Sequence, residues 1–204
     1  MAYYFTSDTH HGDERLNLFG RDGAFKSAKE CDEYIIKKWN EIVKEDDIIF
    51  HLGDVAMTKE GLDLVKQLNG IKYLIKGNYD KADQTAKYEV SDELLLEYFD
   101  KVEEYFALKI TLEDGSTEEI FLVHEPEKAR EDMFNLVGHI HGLWKVQRNK
   151  INVGTDAWHF MPVSLDQVKF YINAIRKYYD INVYAGELPA NLCKSDNFEK
   201  NENE

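Results

Sequence analysis

Three short apolar runs early in this chain each end on a side chain that binds cations, and that pattern restricts the fold more than any other feature. Residues 2–7 (Ala-Tyr-Tyr-Phe-Thr-Ser) read as a buried strand running into Asp8-Thr9-His10. Ile48-Ile49-Phe50-His51-Leu52 reads as a second strand, stopping at Gly53-Asp54, and Ile71 to Ile75 as a third, ending at Gly77-Asn78. Between the first two, Ser27-Ala28-Lys29-Glu30 forms a capping box, with Ser at the N-cap and Glu three residues on. Behind it Ala28, Cys31, Ile35, Trp39 and Ile42 recur at helical spacing, which predicts a helix of about four turns. A shorter helix is predicted over Thr58–Leu68, followed by a turn at Asn69-Gly70.

The second half of the chain changes style. Glu103–Leu112 and Thr117–Val123 flank Glu113-Asp114-Gly115-Ser116, a hairpin signal with Asp-Gly at the turn. Short strands are expected at Asn135–Val137 and Lys150–Val153. A second capping box, Ser164-Leu165-Asp166-Gln167, opens a helix with Val168, Ile172 and Ile175 on one face. Strand–helix alternation followed by hairpins predicts an α/β chain with a mixed sheet system and helices outside it. The 204 residues suit one domain over residues 1–182 and a C-terminal extension over 183–204, polar and flexible from about Ser195.

Composition narrows the setting. Hydrophobic residues make up 43% and charged residues 31%, as in soluble globular proteins. No apolar run approaches the ~20 residues that span a bilayer, and the first residues lack the pattern of a signal peptide. The two cysteines, Cys31 and Cys193, form no zinc or redox motif, so a reducing, cytoplasmic location without membrane contact is expected. The formal net charge of −14 repels polyanions and disfavours extended nucleic acid as a partner.

Later in the chain come His124, just before Pro126, and Gly138-His139-Ile140-His141-Gly142. Taken singly these signals are weak. Gly-Asp is usually a turn, Asn78 would also serve as a cap, and His124 as an ordinary loop histidine. Their order and position carry the argument, because ligand crevices of open α/β sheets form where strands end. Asp, Asn and imidazole together favour divalent first-row metals over an all-oxygen calcium site.

In that order, Asp8-Thr9-His10, Gly53-Asp54, Gly77-Asn78-Tyr79-Asp80, His124 and Gly138-His139-Ile140-His141 resemble the signature of calcineurin-like metallophosphoesterases. His51-Leu52-Gly53-Asp54-Val55 and Asn152 to Trp158 are similar to a small bacterial and phage branch of that family. The resemblance covers roughly residues 3 to 177. It implies two packed mixed β-sheets with helices on both outer faces, a four-layer αββα fold. It also implies one metal held by Asp8, His10, Asp54 and His141, and a second by Asp54, Asn78, His124 and His139, with Asp54 bridging. Mn²⁺ is the first expectation for both, with Fe, Zn, Ni and Mg as alternatives. The activity implied is hydrolysis of phosphomono- or phosphodiesters by a hydroxide bridging the two ions. Net charge points to small or nucleotide-type substrates.

The family usually reads Gly-Asn-His-Asp, where the His assists the leaving group or holds the phosphate. Here Tyr79 takes its place and Asp80 keeps the last position, and both are carried over as catalytic candidates. A phenol of ordinary pKa near ~10 is a poorer acid at neutral pH than imidazolium. Tyr79 would then donate a hydrogen bond to the phosphate, or His11 would supply the proton, or substrates would need good leaving groups. Arg15 and Arg21 follow the first ligand loop and are candidates for substrate phosphate. His51 reads as core. Trp158 and His159 would either floor a cleft or pack inside. Two other functions share the fold: a nuclease, and a protein-binding scaffold without catalysis, against which the retention of all seven ligand types argues.

Overall fold

The computed structural model describes residues 1–82 and 86–178. Residues 183–204, expected as an extension, and Cys193 lie outside the described residues.

The three apolar runs form parallel strands, β1 (Tyr3–Thr6), β2 (Ile48–His51) and β3 (Ile71–Ile75), in matched register. Side chains alternate across a strand. Phe5 and Phe50 therefore face one way and stack at 5.6 Å, with Tyr73 edge-on to Phe50 at 5.3 Å. Ile49 and Leu74 face the other way. Parallel neighbours need crossovers, and helices supply them. Between β1 and β2 runs α1 (Ala28–Ile42), which buries Ala28, Cys31, Ile35 and Trp39. Ser27 Oγ accepts the Glu30 amide at 3.2 Å, while the Glu30 carboxylate reaches back one residue further, to the Lys26 amide at 2.8 Å. Between β2 and β3 lies α2 (Lys59–Asp63), continued as a 3₁₀ turn over Leu64–Gln67. The Trp39 indole donates to the Asn69 carbonyl at 2.9 Å and so ties α1 to the turn that starts β3.

The run expected from Glu103 to Leu112 forms one strand from Phe106 to Thr111, while Glu103 ends a further strand, not expected from the sequence, in the first sheet. After α3 (Asp92–Leu95), β4 (Lys101–Glu103) adds to β3 in parallel, and the chain crosses over at Glu104-Tyr105. A second sheet then begins with β5 (Phe106–Thr111) and β6 (Thr117–Leu122), the hairpin around Asp114-Gly115. It continues with β7 (Phe134–Val137), β8 (Val146–Gln147) and β9 (Lys150–Asn152) in the order β5-β6-β7-β9-β8. Finally β10 (Val163–Ser164) returns to the first sheet, antiparallel to β1. Both sheets are thus mixed. The Ser164–Gln167 capping box is reciprocal, and it opens α4 (Leu165–Tyr178).

Phe5, Phe50, Leu52 and Ile75 of the first sheet pack against Ile120, Leu122, Leu136 and Ile151 of the second, and α4 adds Val168 and Ile172 to this core. Each such side chain is worth roughly 1.5–3 kcal/mol when fully buried. The outer face of the first sheet is covered by α1, α2 and α3 through Trp39, Leu62 and Leu95. The opposite face of the second carries Phe121, Val123 and Val137 under Ala129, Met133 and Trp144. The expected architecture, two packed mixed sheets flanked by helices, is the one observed. Beyond the strands the sheets are joined by a parallel bridge between Ser7 and Gly154. The C-terminal ends of β1, β2, β3, β6, β7 and β9 therefore converge on one rim.

Candidate metal centre

Every residue that the sequence marks as a candidate ligand stands on that rim, just past a strand end. Two groups of side chains gather there, Asp8 with His10 and His141, and Asp54 with His124 and His139, each with its ligand atoms within 4.8 Å of one another. Asn78 joins the second group, its Oδ1 3.2 Å from His124 Nε2 and 3.1 Å from His139 Nδ1. Asp54 lies between the groups. Its Oδ2 is 3.6 Å from His10 Nε2 and 3.3 Å from His124 Nε2.

The backbone reaches this arrangement under strain. Asp8, His10, Asp54, His139 and His141 all have positive φ, between 49° and 72°. Non-glycine residues in that region cost of order 1–3 kcal/mol each and persist only where the surroundings hold them. The hydrogen bonds that hold them are specific. Asp8 N–H donates to the Gly53 carbonyl at 2.9 Å and His10 N–H to the Asp54 carbonyl at 3.1 Å, which binds the two ligand loops together. The His139 amide donates to the Asp8 carboxylate at 3.0 Å. Asp80, 1% exposed, accepts the amides of Asp54 at 2.7 Å, Gly77 at 2.9 Å and Val55 at 3.2 Å. Where these loops touch there is no room for a side chain. A Cβ on Gly53 would lie 2.3 Å from the Gly77 nitrogen, and one on Gly77 2.3 Å from Asp54 Oδ1.

Two of the imidazoles are aimed by second partners, as metal-ligating histidines usually are. His124 Nδ1 donates to the Leu52 carbonyl at 2.6 Å, and His141 Nδ1 to Asp156 Oδ2 at 2.7 Å. Neither ring nitrogen of His10 has a hydrogen-bond partner among the described residues, although both are buried. Burial pushes His10 down to about 3, which leaves it a neutral imidazole, the form that binds metals. Burial also opposes ionisation of Asp54, but the hydrogen bond and charge of His124 outweigh it and hold Asp54 near 2. Orphaned buried nitrogens, a carboxylate lying between two imidazoles and a His/Asp/Asn donor set fit divalent first-row cations.

The other sequence-identified residues fall in three places. Tyr79 is half-buried beside the ligands. Its ring meets His10 edge-on at 4.8 Å, its amide donates to Asp54 Oδ1 at 2.9 Å, and its hydroxyl accepts from Arg15 Nη2 at 3.0 Å. Arg15 is gripped by Asp13 through Nε at 2.9 Å and Nη2 at 2.7 Å. His11 is not in the cleft. It is fully buried, with Nδ1 2.9 Å from Asp32 of α1. Arg21 is 2% exposed and faces inward. His51 is buried against Thr9, and Trp158 donates to the Asn152 carbonyl at 2.6 Å within the main core, while His159 is exposed. Reading the sequence missed Asp13, Asp32 and Asp156 as partners of the site, and also Phe19, whose ring stacks on His10 and His141 at 4.5 Å each. Asp156 sits in the Asn152–Trp158 stretch already singled out, which was the one available signal.

No helix among the described residues is long and apolar enough to cross a membrane. The chain is 26% identical over 179 residues to the uncharacterized protein MJ1445 of Methanocaldococcus jannaschii, covering 81% of this chain and 88% of that one. It is 29% identical over 201 residues to the gene 66 protein of Mycobacterium phage D29, covering 85% and 97%. A crystal structure of AQ665, a protein of unknown function from Aquifex aeolicus, shares the fold with a TM-score of 0.61 at 24% identity, covering 83% of this chain and 98% of that one. The model of the calcineurin-like phosphoesterase superfamily domain matches residues 1–174, and the chain, with its two His/Asp groups on the common rim, belongs to that superfamily.

Proposed function

We propose that the protein hydrolyses small phosphate esters, nucleotide-type esters included, with two divalent cations, Mn²⁺ first, held by Asp8, His10 and His141 and by Asn78, His124 and His139, with Asp54 shared. The observation that carries this reading is the position of Asp54, whose Oδ2 is within 3.6 Å of an imidazole nitrogen on either side. When bound, a pair of such ions stabilises charge on a phosphoryl group and makes water nucleophilic near neutral pH.

The protein's own residues do the rest. Arginine has no acceptor, so the Tyr79 oxygen accepts from Arg15 and its own hydrogen is free to turn elsewhere. In this reading Tyr79 donates it to a substrate oxygen. Arg15, with its side chain 36% exposed, adds charge beside the phosphate. Asp80 and His11 are assigned to holding the ligand loops instead of moving protons, because both are buried and bonded to the scaffold, Asp80 to three amides and His11 to Asp32. Cys31, a buried free thiol, is in keeping with a cytoplasmic setting. The overall charge of −14 favours small substrates over long nucleic acid.

The test compares bis(4-nitrophenyl) phosphate, 4-nitrophenyl phosphate and a single-stranded oligonucleotide in Mn²⁺, each with and without EDTA. Hydrolysis of a nitrophenyl ester that EDTA abolishes, with slower cutting of the oligonucleotide, is expected. No hydrolysis of any of them would count against catalysis. Faster cutting of the oligonucleotide would reassign the substrate to nucleic acid.

A further inference from the structure

We infer that Arg21 is a positioning residue for one half of the metal centre, bracing Asp8, His10 and His141 together while leaving the other half untouched. The inference rests on the metal-binding reading above. Arg21 is buried away from solvent, and apart from a long contact of Nη1 with Cys31 Sγ at 3.9 Å its side-chain bonds go to the scaffold of one group. Nη2 donates to the Asp8 carbonyl at 2.6 Å and Nη1 to the Thr9 carbonyl at 2.9 Å. Nε and Nη2 form a fork on Asp156 at 2.6 and 2.9 Å, and Asp156 in turn accepts from His141 Nδ1 at 2.7 Å.

The physical need for this brace follows from the backbone. Positive φ at Asp8 and His10 turns the chain out of the regular ladder, and the carbonyls of Asp8 and Thr9 are left inside the protein. A buried carbonyl without a donor costs about 1–3 kcal/mol. One guanidinium satisfies both and fixes the loop that carries two of the three ligands. Its charge also balances Asp156, whose side chain is 8% exposed and would be costly there alone. The same guanidinium lies 5.2 Å over the ring of Phe19, which stacks on His10 and His141. The second group shares none of these contacts. Asp54 and the Gly77 loop hang on Asp80, and His124 on the Leu52 carbonyl.

Arg21→Lys keeps the charge but loses the fork, and Asp156→Asn keeps the shape but loses the ion pair. Mn²⁺ is titrated into wild type and both variants, followed by equilibrium dialysis and low-temperature electron paramagnetic resonance, with thermal melting of the metal-free proteins as a check on folding. Wild type should take up two ions with a spin-coupled spectrum. The variants should bind the first ion as wild type does and the second 10- to 100-fold more weakly, giving the six-line spectrum of an isolated ion. If either variant does not fold, the other reads the same link. Two tight ions in a variant, or equal weakening of both, would overturn the brace. Failure of wild type to bind Mn²⁺ would instead overturn the metal reading on which it stands.

Discussion

The two candidate ligand groups on the rim look alike as lists of residues, but they are held by buried charges of opposite sign. Behind Asp8, His10 and His141 a cation, Arg21, collects the Asp8 and Thr9 carbonyls and the distant Asp156, with the Phe19 ring stacked on both imidazoles. Behind Asp54 and Asn78 an anion, Asp80, collects the amides of Asp54, Val55 and Gly77, and the Leu52 carbonyl lies under His124. Exposure differs as well. His10 is buried beneath Phe19, while His139 is exposed at the mouth. Removing either buried charge should loosen the half that it holds, and so should bulk on a glycine packed against a ligand loop.

The largest effect is expected where the two halves meet. Asp54→Ala should lower hydrolysis of bis(4-nitrophenyl) phosphate by on the order of 10³-fold and release both ions. Equal retention of both ions would break the claim that Asp54 is shared. Next, Gly77→Ala forces a methyl group to within 2.3 Å of Asp54 Oδ1. Overpacking of this kind costs ~1–3 kcal/mol, so the urea midpoint of the metal-free protein should fall. An unchanged midpoint would mean that the loops are looser than their contacts suggest.

Asp80→Asn sharpens the comparison from the other side. An amide cannot accept from all three N–H groups that Asp80 serves, and its NH₂ would face one of them. Activity should drop ~10- to 100-fold, with metal lost first from the half opposite to the one that Arg21 braces. Loss from the Asp8 side first would erase the distinction. The smallest effect belongs to Tyr79→Phe, which removes one hydrogen bond to a charged group, about 1.5 kcal/mol, and should lower kcat about tenfold with little change in KM. Tyr79→His should raise turnover on poor leaving groups more than on nitrophenyl esters, and equal gains on both would argue against a missing acid.

Much of this was legible in the sequence because it is local. Each ligand lies within a few residues of a strand end, and buried strands announce themselves by apolar runs such as Ile48–Leu52. The capping boxes at Ser27 and Ser164 marked the starts of both long helices for the same reason. What was illegible depends on partners far apart in the chain. Nothing in the neighbourhood of Arg21 indicates Asp156, 135 residues on, and without that partner an arginine near a ligand loop looks like a phosphate binder. His11 was misleading for a different reason. Adjacency to His10 suggested a shared cleft, but the chain reverses at His10, where φ is 49°, and His11 pairs with Asp32 inside. The strand Lys101–Glu103 was not legible because three residues carry too little pattern of their own and are set by pairing with β3.

The count of bound ions tests the central claim most directly. Wild type and Asp54→Ala, dialysed to equilibrium against Mn²⁺ and measured by elemental analysis, should contain two ions per chain and none, respectively. A wild-type chain that binds no ion, or an Asp54→Ala variant that keeps both, would contradict the account.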